Sequence, residues 1–533
     1  MDSSKFQQLK QYVGAELLNY ALNRTDIFYQ SDFESLKVDD AQMFVLTDMH
    51  QKIQQCRFQY IAQGGYGDGT DFLLKQLLHN GESIFIYYRT ECGAVADNPT
   101  SHDPVILHLQ RLCIRDYPNL LMKSIDGHSF QMLGRLNVRK DDYENFIALI
   151  KVDPLNKITN GKDGLDYAFE FNTEDGLQFN MQVSTACTTL VTRAFYDACN
   201  RMDYSLPTVL KTISAYVCTL RELAAGNEVN YSSFVGLRGI RFNEFTEVAF
   251  DGATLRQYAG VENPGPHTQR TVIYHSDEHS RYSGHVLEVT HKTKICSLKA
   301  TCNTGNSKKA NRFQQDVLEK VLFSLVFSSE CTRGPTPSFF EIGFPLITPG
   351  NFGFADQSPG EYLLIDEMGK KSAQRWFSIL RETPLDKLRT PLQRLKYAIF
   401  ERRNPEDAIV DAVIAWEGMF SEAFETTFKV TGSIAKYLSV PAERSAYLSR
   451  LKKLYELRSK LVHGSSSSLL KQENVEDLRS EVVNIGLQCL KKLLTDKTLL
   501  PMTPSERVSH LLVLNDFSQQ GDATDWLSAN SDI

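Results

Sequence analysis

From residue 1 to about 370 the chain alternates short stretches rich in β-branched and aromatic residues with polar turn clusters. Ser83–Tyr88 (SIFIYY), Leu165–Phe171 (LDYAFEF), Glu244–Phe250 (EFTEVAF), Thr271–Tyr274 and Val286–Val289 read as strands, with NGKDG, NTEDG and ENPGPH as the turns between them. Helical windows interrupt this pattern at Thr188–Asn200, Leu206–Leu223 and Phe313–Phe327. After Pro359-Gly360 the period becomes helical and stays so, over Lys371–Glu382, Leu392–Arg403, Asp407–Phe428, Ala442–His463, Asn474–Thr495 and Pro504–Asn515. The expected fold class is α+β. A large, mainly β N-terminal region with helical insertions, residues 1–365, divides into subdomains near 200–230, and an all-α bundle follows over 366–533.

Local signals fix several helix ends. Asn404-Pro405-Glu406-Asp407 offers an N-cap, a proline for the first turn and acids at the positive end of the dipole. Pro441-Ala442-Glu443 opens the next helix in a similar way, and Gly464 suits the left-handed residue after a last turn.

Composition narrows the class. At 533 residues and 42% hydrophobic, the chain is globular and exceeds what a single core sustains, so at least two folding units are expected. Lys+Arg number 58 against 65 Asp+Glu, a net charge of −7, which excludes a global basic field; any nucleic-acid contact must be local. The longest uncharged apolar runs, such as Val321–Phe327, are far too short to cross a bilayer, and the opening MDSSKFQQLK has no hydrophobic signal core. The 10 cysteines are dispersed without a C-x-x-C pair, as expected of reduced thiols. A soluble, cytoplasmic protein without a membrane partner is the expectation.

The most informative stretch is Tyr447–Gly464, YLSRLKKLYELRSKLVHG. Leu448, Leu451, Tyr455 and either Leu454 or Val462 recur at three- and four-residue steps and form an apolar stripe. Arg444–Val462 carries six basic residues against one acid, a net of +5, and the preceding Glu367–Arg403 carries ten against four, a net of +6. A charge run by itself is more often a solvated face. Arg458 and His463 change that balance. Cleaving an RNA phosphodiester requires a proton to leave the ribose 2′-OH and another to reach the departing 5′-oxygen, while the phosphorane gains negative charge. Histidine transfers protons near neutrality, and arginine offers a permanently charged planar fork to phosphate oxygens. Five residues at about 100° each leave the two side chains about 140° apart on a regular helix. Arg458 must therefore reach around, the last turn must unwind, or a second subunit must supply its own pair. The third arrangement, a composite site on a two-fold axis, is the working expectation.

The segment RSKLVHG, placed late on a helix of a C-terminal bundle, resembles the R-x(4–6)-H motif of the HEPN superfamily, and in particular the Apea-like HEPN domains, in which an RS-x-x-x-HG ending follows a tyrosine-containing helix. The resemblance covers residues 390–515. It implies a metal-independent endoribonuclease that needs no cofactor, works as a homodimer or higher homo-oligomer, leaves 2′,3′-cyclic phosphate ends and serves as an anti-phage abortive-infection effector. Arg458 and His463 would be its catalytic pair. Ser459 stands where many of these nucleases have Asn, Asp or His. Lys453, Lys460 and Arg450 would position RNA, with a single-stranded or loop substrate such as tRNA. Glu417, on the apolar side of the helix bearing Val413, Trp416, Phe420 and Phe424, would orient Arg458 or His463; an edge-of-face glutamate reaching water is the competing reading. The N-terminal region would bind a phage-derived trigger protein and control the nuclease.

Other signals are weaker. Gln63–Thr70 (QGGYGDGT), after an expected strand at Arg57–Ile61 and before an expected helix at Asp71–Leu78, lacks the GK[ST] ending of a Walker loop and reads as a surface turn. His267, His275, His279, His285 and His291 crowd into 25 residues ahead of Cys296 and Cys302. A zinc site on His275, His279, Cys296 and Cys302 competes with exposed hairpin loops, since the spacings match no zinc-finger pattern. Neither G-x-S-x-G nor H-E-x-x-H occurs. The alternatives to an enzyme are a catalytically inactive HEPN module that binds RNA or nucleotides, and a carbohydrate- or ligand-binding domain with a helical oligomerisation tail.

Overall fold

The computed structural model describes residues 1–27, 33–64, 77–122, 136–258, 284–298, 307–329, 331–348, 352–353, 363–421, 426–464 and 468–514. Its helices are α1 Ser3–Val13, α2 Ala15–Ala21, α3 Asp40–Ala62, α4 Ile84–Glu91, α5 Pro104–Leu121, α6 Lys140–Val152, α7 Val183–Asn200, α8 Leu206–Ala224, α9 Ser307–Phe327, α10 Glu367–Glu382, α11 Arg389–Lys396, α12 Pro405–Phe420, α13 Thr426–Leu438, α14 Arg444–Val462, α15 Ser468–Gln472, α16 Val475–Thr495 and α17 Pro504–Ser509. The chain is a mixture of helix and sheet. Its contacts divide it into two units. The first comprises Met1–Leu237, Gly252–Gln314 and Pro337–Ala355, and the second Arg238–Asp251, Gln315–Thr336 and Asp356–Ile533. No described helix is long and apolar enough to cross a membrane.

The N-terminal region is not mainly β. Eight of the described helices, α1 to α8, lie before residue 225. Ser83–Tyr88, expected as a strand from its aromatic and β-branched content, is helical from Ile84, and Ile84, Phe85 and Tyr88 are buried at the one- and four-residue steps of a helical face. The expected strand at Arg57–Ile61 lies inside α3. That helix opens with a capping box: Asp39 accepts from the Gln42 amide, and the Gln42 side chain accepts from the Asp39 amide. α5 opens with Asp103 accepting from the Val105 and Ile106 amides and Pro104 in the first turn. Here the capping residues, not β propensity, mark the element. Asp71–Leu78 and Thr271–Tyr274 fall wholly or mostly outside the described residues.

The first unit centres on α7, buried at every residue from Ala186 to Asn200 and packed by α5, α6 and α8. A helix buried all round must satisfy its polar side chains internally. Arg193 Nε donates to Asp197 Oδ1 at 2.7 Å, and its Nη2 pairs with Glu341 Oε1 at 2.6 Å. Asn200 donates to Glu341 Oε2 at 3.1 Å, and the Tyr216 hydroxyl donates to Asp197. Beside the short antiparallel pair Leu78–His79 with Glu82–Ser83, two larger sheets are described in the unit. In one, Ala168–Thr173 lies between Gln178–Gln182 and Ile295–Ser297, antiparallel to both. In the other, Phe352–Gly353, Thr336–Gly343, Val229–Arg238, Gly284–Thr293 and Ala253–Tyr258 follow in that order. Phe171, Phe179 and Phe344 stack, with ring centroids 4.7 and 4.5 Å apart, and join one core that extends to Phe6 and Leu9 of α1.

The described residues of the second unit are mainly helical, with the parallel pair Ile240–Phe242 and Leu363–Ile365 and the strand Glu247–Phe250. α12 occupies its middle and packs against α11, α13, α14, α16 and α17. Asn404 caps α12 by accepting from the Glu406 amide at 2.8 Å, with Pro405 next in the chain, as its sequence requires. The continuous helix expected over Asp407–Phe428 instead ends at Phe420, and α13 begins at Thr426. Val413, Trp416 and Phe420 are fully buried; Phe424 lies outside the described residues. α16 crosses closely at Gly486, where a Cβ would lie 2.9 Å from Leu395 and 3.2 Å from Trp416.

Candidate functional site

α14 presents Leu451, Leu454 and Leu457 to the core. This sets its rotation: Leu448 and Tyr455 sit at the edge of the face, while Val462 is 53% exposed and does not belong to it. On that rotation Lys452, Lys453 and Ser459 are exposed, and Arg458 and Lys460 are half-buried. His463 follows the last turn, its amide bonded to the Ser459 carbonyl at 3.2 Å, and its side chain is exposed. Gly464 has φ of +64°, the left-handed conformation that ends a helix at low cost for glycine.

Arg458 faces Glu417 of α12. Its Nη2 stands 3.8 Å from Glu417 Oε2, close enough for an ion pair but beyond hydrogen-bonding distance. The other carboxylate oxygen, Oε1, accepts from the Tyr455 hydroxyl at 2.6 Å. Burial, then the neighbouring carboxylate, pushes the Tyr455 phenol well above its ordinary value, so it remains a donor throughout the neutral range. Among the described residues the buried Arg458 Nε has no hydrogen-bond partner. The result is a guanidinium held on one side by a carboxylate that does not consume its donors.

No family model, curated protein or solved structure matches this chain.

The remaining expected positions separate into two groups. Lys453 is exposed on α14 and Lys460 is half-buried. The Arg450 guanidinium is engaged by two carboxylates, with Nη1 and Nη2 on Glu473 at 2.7 and 2.6 Å and Nε on Glu481 at 2.9 Å. These bonds hold its pKa well above the ordinary range. The +6 segment before α12 is answered in the same way. Arg394 and Arg402 both bind the buried Asp411 at 2.7 Å, Lys396 pairs with Glu319 and Arg381 with Asp251.

His275, His279, Cys302 and His267 lie outside the described residues. Cys296 is exposed, and its thiol donates to the Asn172 carbonyl at 3.5 Å. His285 and His291 are core residues. Burial pushes them down to about 3 and about 4, and His291 pairs with Ser233 Oγ at 2.7 Å and stacks on Tyr231. Among the described residues no three His, Cys, Asp or Glu side chains gather as a metal site would require. The functional contact that the sequence reading missed is the Tyr455 hydroxyl, since the residue's place on an apolar stripe hides its polar end. A buried phenol needs an acceptor and the half-buried Glu417 needs a donor; that complementarity was the available signal.

Proposed function

We propose that the chain is a metal-independent endoribonuclease of HEPN type, with Arg458 and His463 as its catalytic pair. One observation carries the reading. The exposed imidazole of His463 closes a cationic helix on which Arg458, five residues earlier, is faced by Glu417 at 3.8 Å, while its buried Nε has no hydrogen-bond partner among the described residues. That combination suits a phosphodiester. In the reaction the ribose 2′-oxygen bonds to phosphorus as its proton passes to an imidazole, the bond from phosphorus to the 5′-oxygen breaks, and a protonated imidazole gives its proton to the leaving 5′-oxygen. Arg458 binds the phosphorane oxygens as their charge grows. Two proton transfers on opposite sides of one phosphate call for two imidazoles, which a two-fold dimer supplies from its two copies of His463.

The substrate in this reading is single-stranded or loop RNA, where the 2′-oxygen can align with the leaving group, and tRNA is the RNA to test first. The N-terminal region controls the nuclease: a phage-derived protein bound there raises cleavage above a basal rate, in keeping with an abortive-infection effector. The test is end-labelled tRNA incubated with the full-length protein in excess EDTA. Cleavage that leaves 2′,3′-cyclic phosphate and is lost in both Arg458→Ala and His463→Ala is the expected result. Retained RNA binding without cleavage in the unaltered protein would replace the nuclease with a binding module.

A further inference from the structure

The Glu417 carboxylate is divided between two donors of α14, and the division is unequal. Tyr455 and Arg458 are three residues apart and so share a helix face. The phenol takes Oε1 at 2.6 Å, while the guanidinium stands 3.8 Å from Oε2. A carboxylate and a guanidinium left to themselves close to a paired hydrogen-bonded fork at about 2.8 Å. Glu417 does not close on Arg458, and its other oxygen is bound by the Tyr455 hydroxyl. Thr427 of α13 lies within hydrogen-bonding reach of that phenol.

We propose that Tyr455 is a positioning residue that sets the anion affinity of Arg458: by anchoring Glu417 it prevents the carboxylate from closing on the guanidinium, which stays available to an incoming oxyanion. That the oxyanion is an RNA phosphodiester rests on the nuclease reading; the control of Arg458 by Tyr455 does not. Without the hydroxyl, Glu417 swings onto Arg458, and substrate must then displace an internal carboxylate. Without the Glu417 charge, Tyr455 has nothing to restrain. The two residues therefore interact with a defined sign.

The experiment is phenylglyoxal modification of the full-length protein, with the rate at Arg458 read by peptide mass spectrometry and the exposed Arg375 as an internal reference. Tyr455→Phe should slow modification of Arg458 by about two- to fivefold, the equilibrium factor that a partly exposed ion pair supplies, and should weaken protection by inorganic phosphate to the same extent. Glu417→Gln should react at least as fast as the unaltered protein, and the double variant should recover the unaltered rate. An unchanged rate in Tyr455→Phe, or a double variant as slow as Tyr455→Phe, overturns the proposal. With tRNA, Tyr455→Phe should raise KM and leave kcat within about twofold, because what is lost is binding to the ground state as well as the transition state. If the unaltered protein binds but never cleaves tRNA while the Arg458 rates follow the stated order, the nuclease reading fails and the Tyr455 assignment stands.

Discussion

Replacing Glu288 with glutamine should remove a pH-dependent part of the stability of the first unit. Glu288 lies on the central strand Gly284–Thr293, opposite Phe234. It accepts from Arg201 Nε and Nη2 at 3.0 and 2.8 Å, from Ser232 Oγ at 2.6 Å and from Arg256 Nη1. Burial alone would push its carboxyl up; the two guanidinium groups and the hydroxyl outweigh that and bring it from 4.5 to about 2. A group held lower in the folded than in the unfolded chain stabilises the fold above its unfolded value. That contribution is lost as pH falls through the folded value, so the window runs from 4.5 down to about 2. At about 1.4 kcal/mol per tenfold change in proton affinity, the full effect is about 3 kcal/mol at pH 7 and about half of that at pH 3. All three tryptophans lie at or beyond residue 376, so fluorescence does not report this unit. Peroxide oxidation of the buried Met49 and Met122 across a urea series, read by mass spectrometry, does. Glu288→Gln should lower stability by about 3 kcal/mol at pH 7, with the gap narrowing to about half at pH 3. An equal gap at the two pH values, or one at pH 7 too small to measure, would refute the linkage.

Three further outcomes follow from the second unit. A Cβ on Gly334 would sit 1.9 Å from Phe400 Cε1, and that ring is already packed edge-on against Phe323 at 5.5 Å, so Gly334→Ala should cost about 1–3 kcal/mol of overpacking, read as a lower urea midpoint from the fluorescence of Trp376 and Trp416. Arg450→Ala should lower stability by about 1–3 kcal/mol, because it leaves Glu473 and Glu481 without their shared partner, yet should change tRNA affinity by less than about twofold. Lys453→Ala and Lys460→Ala should each reduce the salt dependence of tRNA binding by about one phosphate contact; an Arg450→Ala effect on RNA as large as theirs would contradict the assignment of its guanidinium to the two glutamates.

The fold was legible where chain-local chemistry decides it. Asn404-Pro405 can hardly do other than start a helix, and Thr188–Asn200 and Leu206–Leu223 lie within α7 and α8 because their apolar positions repeat at the helical period. It was not legible where composition and context oppose each other. SIFIYY has the residue types of a strand, but its buried positions are those of one helix face, and only the neighbours that bury Ile84, Phe85 and Tyr88 decide between them. Asp39 and Asp103 carried the correct signal for α3 and α5, a capping side chain followed by free amides, but strand propensity in the surrounding sequence masked it.

The site divides along the same line. Helix rotation is a one-dimensional property, so the exposure of Lys453 and Ser459 and the closing turn at Gly464 could be anticipated from spacing. Charge is not one-dimensional. The net +5 of α14 counts Arg450, which two glutamates from beyond the helix neutralise, and the +6 segment before α12 spends Arg394 and Arg402 on Asp411, an acid inside the next helix. Only side chains without such partners can meet a phosphate at full strength, so the cationic field near His463 rests on fewer residues than the sequence count suggests. This raises the importance of Arg458. On a helix whose apparent charge is partly cancelled from within, whether one carboxylate closes on one guanidinium or is held 3.8 Å away by a tyrosine decides whether an oxyanion finds a paired or an available arginine.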